Sequence, residues 1–102
     1  MIESIKRSPA FRALGSRDCL MLLELLDIAN APRLASPRIV HGFVRRDALA
    51  ERVGRSISSV GRSLRNLRAS GWIMTIKGGW EHSHLGLAFC VFPAPHAKVR
   101  DG

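Results

Sequence analysis

Apolar positions follow three different rhythms along the chain, and each predicts a different kind of element. From Arg17 to Asn30 (RDCLMLLELLDIAN) they occupy nearly the whole circumference of a helix, while Arg17, Glu24 and Asp27 gather on one narrow polar stripe. Ser16 is read as the N-cap, with Asp18 in the first turn where the helix dipole favours an acid. So wide an apolar arc exceeds what a small domain usually covers. The expectation is a central helix buried by its own domain, with packing of part of the arc against a second copy as the other outcome. Ahead of this helix, Ser8-Pro9 opens a helical turn from Ala10 to Leu14 that Gly15 closes. Behind it, Pro32 ends the helix, residues 32–37 (PRLASP) form a connector, and residues 38–44 (RIVHGFV) read as a short strand or extended segment.

The second rhythm is shorter. In Asp47 to Val53 (DALAERV), Leu49 and Val53 stand four apart on the inner face of a two-turn helix, and Gly54 follows where helices close on a left-handed residue. Ser56 caps a further helix over Ile57 to Ala69 (ISSVGRSLRNLRA). There Val60, Leu64 and Leu67 fall within about 60° of one another, and Ser58, Arg62, Arg65 and Ala69 lie opposite. Ser70-Gly71 ends it. Two short helices joined by a brief turn containing glycine are the signature of a helix-turn-helix.

The third rhythm is alternation. Trp72 to Lys77 (WIMTIK) is β-prone, Gly78-Gly79 turns the chain, and Leu85 to Phe92 (LGLAFCVF) reads as a second strand. Its odd positions Leu85, Leu87, Phe89 and Val91 face a core, while Gly86, Ala88 and Cys90 on the other side are small. The expected fold is α+β and mostly helical, a winged helix-turn-helix with a three-helix core and a β-hairpin wing. Residues 1–15 are read as an N-terminal arm or short helix, 16–92 as the domain and 93–102 as a loose tail.

Charge sharpens this picture. The 102 residues carry a net charge of +8, and 13 of the 16 bases are arginine, whose planar fork suits phosphates and guanine edges. The distribution matters more than the total. Residues 38–77 hold nine bases and two acids, so one contiguous segment carries nearly all the excess, and it is the place to look for a polyanion. The longest apolar stretch, Cys19 to Ala29, is interrupted by Glu24 and Asp27 and falls well short of the ~20 residues that a membrane span needs. Neither does the N-terminus have the apolar core of a secretory signal. Two cysteines in apolar runs, Cys19 and Cys90, suit reduced buried thiols and a cytoplasmic location.

Leu49 to Ile73 (LAERVGRSISSVGRSLRNLRASGWI) resembles the winged helix-turn-helix of MarR- and GntR-type regulators, at Leu49-Ala50-Glu51, Gly54, Ser56, Val60, Leu64, Leu67 and Gly71-Trp72-Ile73. The earlier stretch SPAFRALGSRDCLMLLELL is similar to the N-terminal part of phage and plasmid winged-helix proteins, replication-type ones among them. The resemblance implies that the second helix of the pair enters the major groove and that the wing, with Lys77, touches backbone or minor groove. Gly61 departs from the pattern, standing inside that helix where a helix former is usual, and the wing holds a single lysine.

Arg62 and Arg65 are therefore the candidate base readers, with Ser58 and Ser59 beside them near the helix N-terminus. Arg45, Arg46 and Arg55 suit phosphate contacts at helix ends. Trp72 is expected under the recognition helix and Trp80 against the hairpin. His82-x-His84 with Cys90 invites a metal, but a fourth ligand and any Cys-x-x-Cys pair are missing, so neither metal nor cofactor is expected. No nucleophile, phosphate loop or paired acids suggest an enzyme. The expected function is sequence-preferring binding of double-stranded DNA by a homodimer, as a small repressor belonging to a mobile genetic element and associated with the nucleoid. The alternatives are a replication-initiation or partition domain and, in a different class, a winged-helix module that binds protein.

Overall fold

The computed structural model describes residues 1–75 and 86–95. Ser8 decides how the chain begins. Its hydroxyl accepts the backbone N–H of Phe11 at 3.0 Å, and Pro9 fills the first helical position. One helix, α1 (Ile2–Arg7), therefore stops where the next, α2 (Pro9–Arg12), starts. Ile5 and Phe11 both enter the main core. Each of these two short helices thus contributes a side chain to the core.

The central helix α3 spans Ser16–Ile28. Gly15, not Ser16, is its N-cap: the Gly15 carbonyl accepts the Cys19 N–H at 2.9 Å and no side chain caps the end. Ser16 stands one position further in, inside the first turn. Met21, Leu22, Leu25 and Leu26 are completely buried. Of the two outcomes expected for the apolar arc, coverage by the chain's own core accounts for most of it, and Leu20, 46% exposed, is the large residue left outside. Asn30 takes a left-handed conformation (φ 62°), and a 3-10 turn at Ala31–Arg33 leads away.

Strand β1 (Val40–Arg45) runs directly into α4 (Arg46–Val53). Gly54, at φ 68°, turns the chain in the left-handed region as expected. Ser56 accepts the Ser59 N–H at 3.2 Å and starts α5 (Ile57–Ala69), so the turn is three residues long. Val60, Leu64 and Leu67 are buried on the inner face of α5, and Ser63 is buried beside them. Strands β2 (Ile73–Thr75) and β3 (Gly86–Val91) complete an antiparallel sheet in the order β1-β3-β2, with Val91 opposite both Val40 and Ile73.

Leu87, Phe89 and Val91 face the core as their alternation requires. Cys90, placed on the outward side by the same alternation, is also buried, because β3 is the middle strand and His41 and Met74 flank it in register. Phe89 lies over Gly42, its partner on β1, and a Cβ at Gly42 would stand 2.6 Å from the ring. With Phe89 wholly buried the ring has little room to withdraw. Gly42→Ala is expected to lower stability by about 1–2 kcal/mol through overpacking, measured as a reduced denaturant midpoint at unchanged slope.

Burial pushes up the thiol pKa at Cys90 and, with help from Asp18, at half-buried Cys19. The thiolate is the reactive form. Both thiols should therefore alkylate slowly in the native protein and quickly in denaturant, with Cys90 the slower; rapid native labelling of Cys90 would contradict its position in the sheet. Among the described residues no helix is long and apolar enough to cross a membrane.

Candidate nucleic-acid interface

The outer face of α5 is where the expected readers stand. Ser58, Arg62 and Arg65 are exposed. Three positions separate the two arginines, so they diverge by about 60° around the helix. Arg62 leans toward a cleft of about 380 Å³ between α5 and the start of α3, where Arg17, Arg55 and Asn66 also stand. Arg65 opens toward a second cleft, on the β2 side. Among the described residues neither forms an ion pair; the pairs present belong to Arg45 and Arg52. A guanidinium that is exposed and uncompensated is available to an external anion.

The other candidates have different surroundings. Arg45 forks onto Asp47, Nε to Oδ1 and Nη2 to Oδ2 at 3.1 Å each. Hydrogen bonding between them raises the arginine pKa and lowers that of the carboxyl. Both side chains are at least half exposed, so the pair is held weakly and can be exchanged for a phosphate. Arg46 is half-buried at the start of α4, and desolvation together with the Arg68 charge lowers its pKa.

Arg55, expected to hold a phosphate, also makes contacts within the fold. It donates through Nη1 to the Ser59 hydroxyl and through Nη2 to the Ser63 hydroxyl and the Arg17 carbonyl, all at 3.4 Å. The turn between α4 and α5 is thereby tied to both α5 and α3. Its partners are neutral, so its charge still contributes to the surrounding field. Ser59 is half-buried, its N–H spent on the Ser56 cap and its hydroxyl on Arg55. Of the two serines, Ser58 is the one that faces solvent.

The acids are arranged to keep this face positive. Arg52 donates to Glu24 at 2.9 Å and to Asp27 at 2.7 Å, joining α4 to α3 at the polar stripe of the latter. Two carboxylates are thus consumed away from the outer face of α5. Asp18 is the exception near the Arg62 cleft, where it accepts from Asn66 Nδ2 at 3.3 Å.

Sequence spacing did not single out Arg17, Asn66, Arg68 or Thr75, which line the two clefts. Arg68 carried a usable signal, standing three positions beyond Arg65 on one helix. Arg17 and Thr75 arrive from other elements and carried none. Lys77, Trp80, His82 and His84 lie outside the described residues. Among those described, no three potential metal ligands stand together. Comparison with protein-family models, with curated proteins and with solved structures gave no match to this chain.

Proposed function

We propose that this chain is a winged helix-turn-helix domain that binds double-stranded DNA, with α5 as the helix that enters the major groove. The observation carrying this reading is the outer face of α5, where Arg62 and Arg65 are exposed and, among the described residues, form no ion pair. The groove, ~12 Å wide, admits a helix, and arginine forks onto guanine O6 and N7. A three-residue turn closed by Gly54 and capped by Ser56 fixes how α5 departs from α4. The antiparallel pairing of β2 with β3 is compatible with a wing. In this reading the protein is a small repressor that covers a promoter sterically. It acts as a two-fold dimer, since one recognition helix spans only a few base pairs. The apolar arc of α3, which would serve a protein-docking module, is largely used by the core.

Fluorescence anisotropy with a labelled duplex, titrated over a range of salt concentrations, tests the reading. Each phosphate neutralised contributes about −0.9 to the slope of log affinity against log salt, so about five to seven contacts give roughly −4 to −6. A flat salt response, or no binding to any duplex at low salt, would overturn it.

A further inference from the structure

At the head of the proposed reading helix an apolar side chain stands in water. Ile57 is the one large apolar residue of α5 that is exposed, at 47%. It is the first residue of the helix, one position past the Ser56 cap. The Ser56 hydroxyl accepts the Ser59 N–H at 3.2 Å and the Ser56 carbonyl accepts the Val60 N–H at 3.0 Å, so the turn that carries Ile57 is closed. A β-branched side chain in a helix keeps essentially one χ1 rotamer. Ile57 is therefore presented in a fixed posture, and little rotamer freedom is left to lose when something covers it.

Single apolar residues on a surface are ordinary; the surroundings of this one set it apart. Its neighbours on the outer side of α5 are small or cationic. Ser58 follows it, Gly61 stands one turn on, and Arg65 continues the same row. The helix carries three arginines and no acid. Gly61, which borders the cleft on the β2 side, has nothing within 4 Å of a Cβ built there, so Ile57 stands above a low stretch of helix surface. A protein partner covering Ile57 must also desolvate the arginines beside it, which is costly. The major groove matches both features. Guanine O6 and N7 accept from arginine, and the C5 methyl of thymine is the apolar group displayed beside them. The N-terminal residues of a reading helix are those that reach base edges.

We infer that Ile57 reads a thymine through its C5 methyl, so that the preferred duplex carries a T·A pair near the guanine taken by Arg62. The inference deepens the DNA reading and rests on it for the class of partner. With a rise of ~1.5 Å per residue, Ile57 and Arg62 stand about 7.5 Å apart along the helix. The thymine then lies within about three base pairs of that guanine.

The full chain selects duplexes from a random library, and the preferred one is remade with uracil in place of each thymine in turn, which removes only the methyl. Anisotropy is measured for the wild type and Ile57→Ala, beside thermal melts and sedimentation. One uracil should weaken the wild type about fourfold, the effect of one buried methyl, and leave Ile57→Ala unaffected. On the thymine duplex Ile57→Ala should bind about tenfold more weakly than the wild type. Its salt slope and melting temperature should be retained, since neither charge nor core is lost. No penalty at any thymine, equal uracil penalties in the two proteins, or a sensitive thymine more than about three base pairs from any guanine would overturn the inference while duplex binding stands. Loss of self-association in Ile57→Ala with the uracil penalty kept would place Ile57 against a second copy and overturn it too. If no duplex binds at low salt, the DNA reading fails and the inference falls with it.

Discussion

Replacing Arg62 by alanine is expected to weaken binding to the preferred duplex by about 1–3 kcal/mol, roughly five- to 150-fold, and to flatten the preference for that site over random sequence. The side chain is exposed on α5 and no carboxylate among the described residues holds it, so its loss removes an external contact and little internal structure. Arg46→Ala supplies the contrast. Arg46 sits at the start of α4, beside Arg65 and Arg68, and as a contact to phosphate rather than to bases its loss should weaken cognate and random duplex alike. Arg52→Ala is the control for net charge. It removes the same single positive charge, but Arg52 is already engaged by Glu24 and Asp27, so duplex affinity should hardly change. Anisotropy with one cognate and one scrambled duplex measures all three. Equal losses from Arg62→Ala and Arg52→Ala would mean that total charge governs binding and that the face of α5 has no special part.

Trp72→Ala is expected to cost about 3–5 kcal/mol of folding stability, a large share of the ~5–15 kcal/mol available to a domain of this kind. Trp72 is 1% exposed and meets Phe11 edge to face, with ring centroids 6.4 Å apart at 88°. It follows Gly71, which turns the chain at φ 81°. Its backbone N–H donates to the Leu67 carbonyl and its own carbonyl accepts the Phe92 N–H, each at 3.0 Å. One residue therefore fastens the end of α5, the N-terminal helix α2 and the exit from β3. The melting temperature should fall by roughly 15 °C or more, whereas Trp72→Phe, which keeps an aromatic ring, should lose much less. A loss below 1 kcal/mol in Trp72→Ala would show that the core does not close on this ring.

The parts legible in the sequence are those encoded locally. Val60, Leu64 and Leu67 fix the inner face of α5, Gly54 and Ser56 punctuate the turn, and alternation at Leu87, Phe89 and Val91 fixes the side of β3 that faces the core. The exposure of Arg62 and Arg65 follows from the same period. Helix α1 is six residues long, too short for a period to register, and its place in the core is set by the distant surfaces that Ile5 meets. Of the internal ties of Arg55, the one to α3 was hidden because the Arg17 carbonyl lies 38 positions away. The cleft around Gly61 was illegible for the same reason: spacing relates Gly61, Arg65 and Arg68, but only the folded chain brings Arg46 and Thr75 to them.

The strand order has a consequence for how the molecule is made. Among the described residues, the strand in the middle of the sheet is the last of the three to be synthesised, and the two outer strands pair only with it. A ribosome that has delivered residues through Thr75 has released every helix named above and both borders of the sheet, but nothing for those borders to hold. Until β3 emerges, β1 and β2 offer bare backbone donors and acceptors to any neighbouring chain. Chains cut short before Gly86 should therefore yield aggregates rather than a smaller working domain.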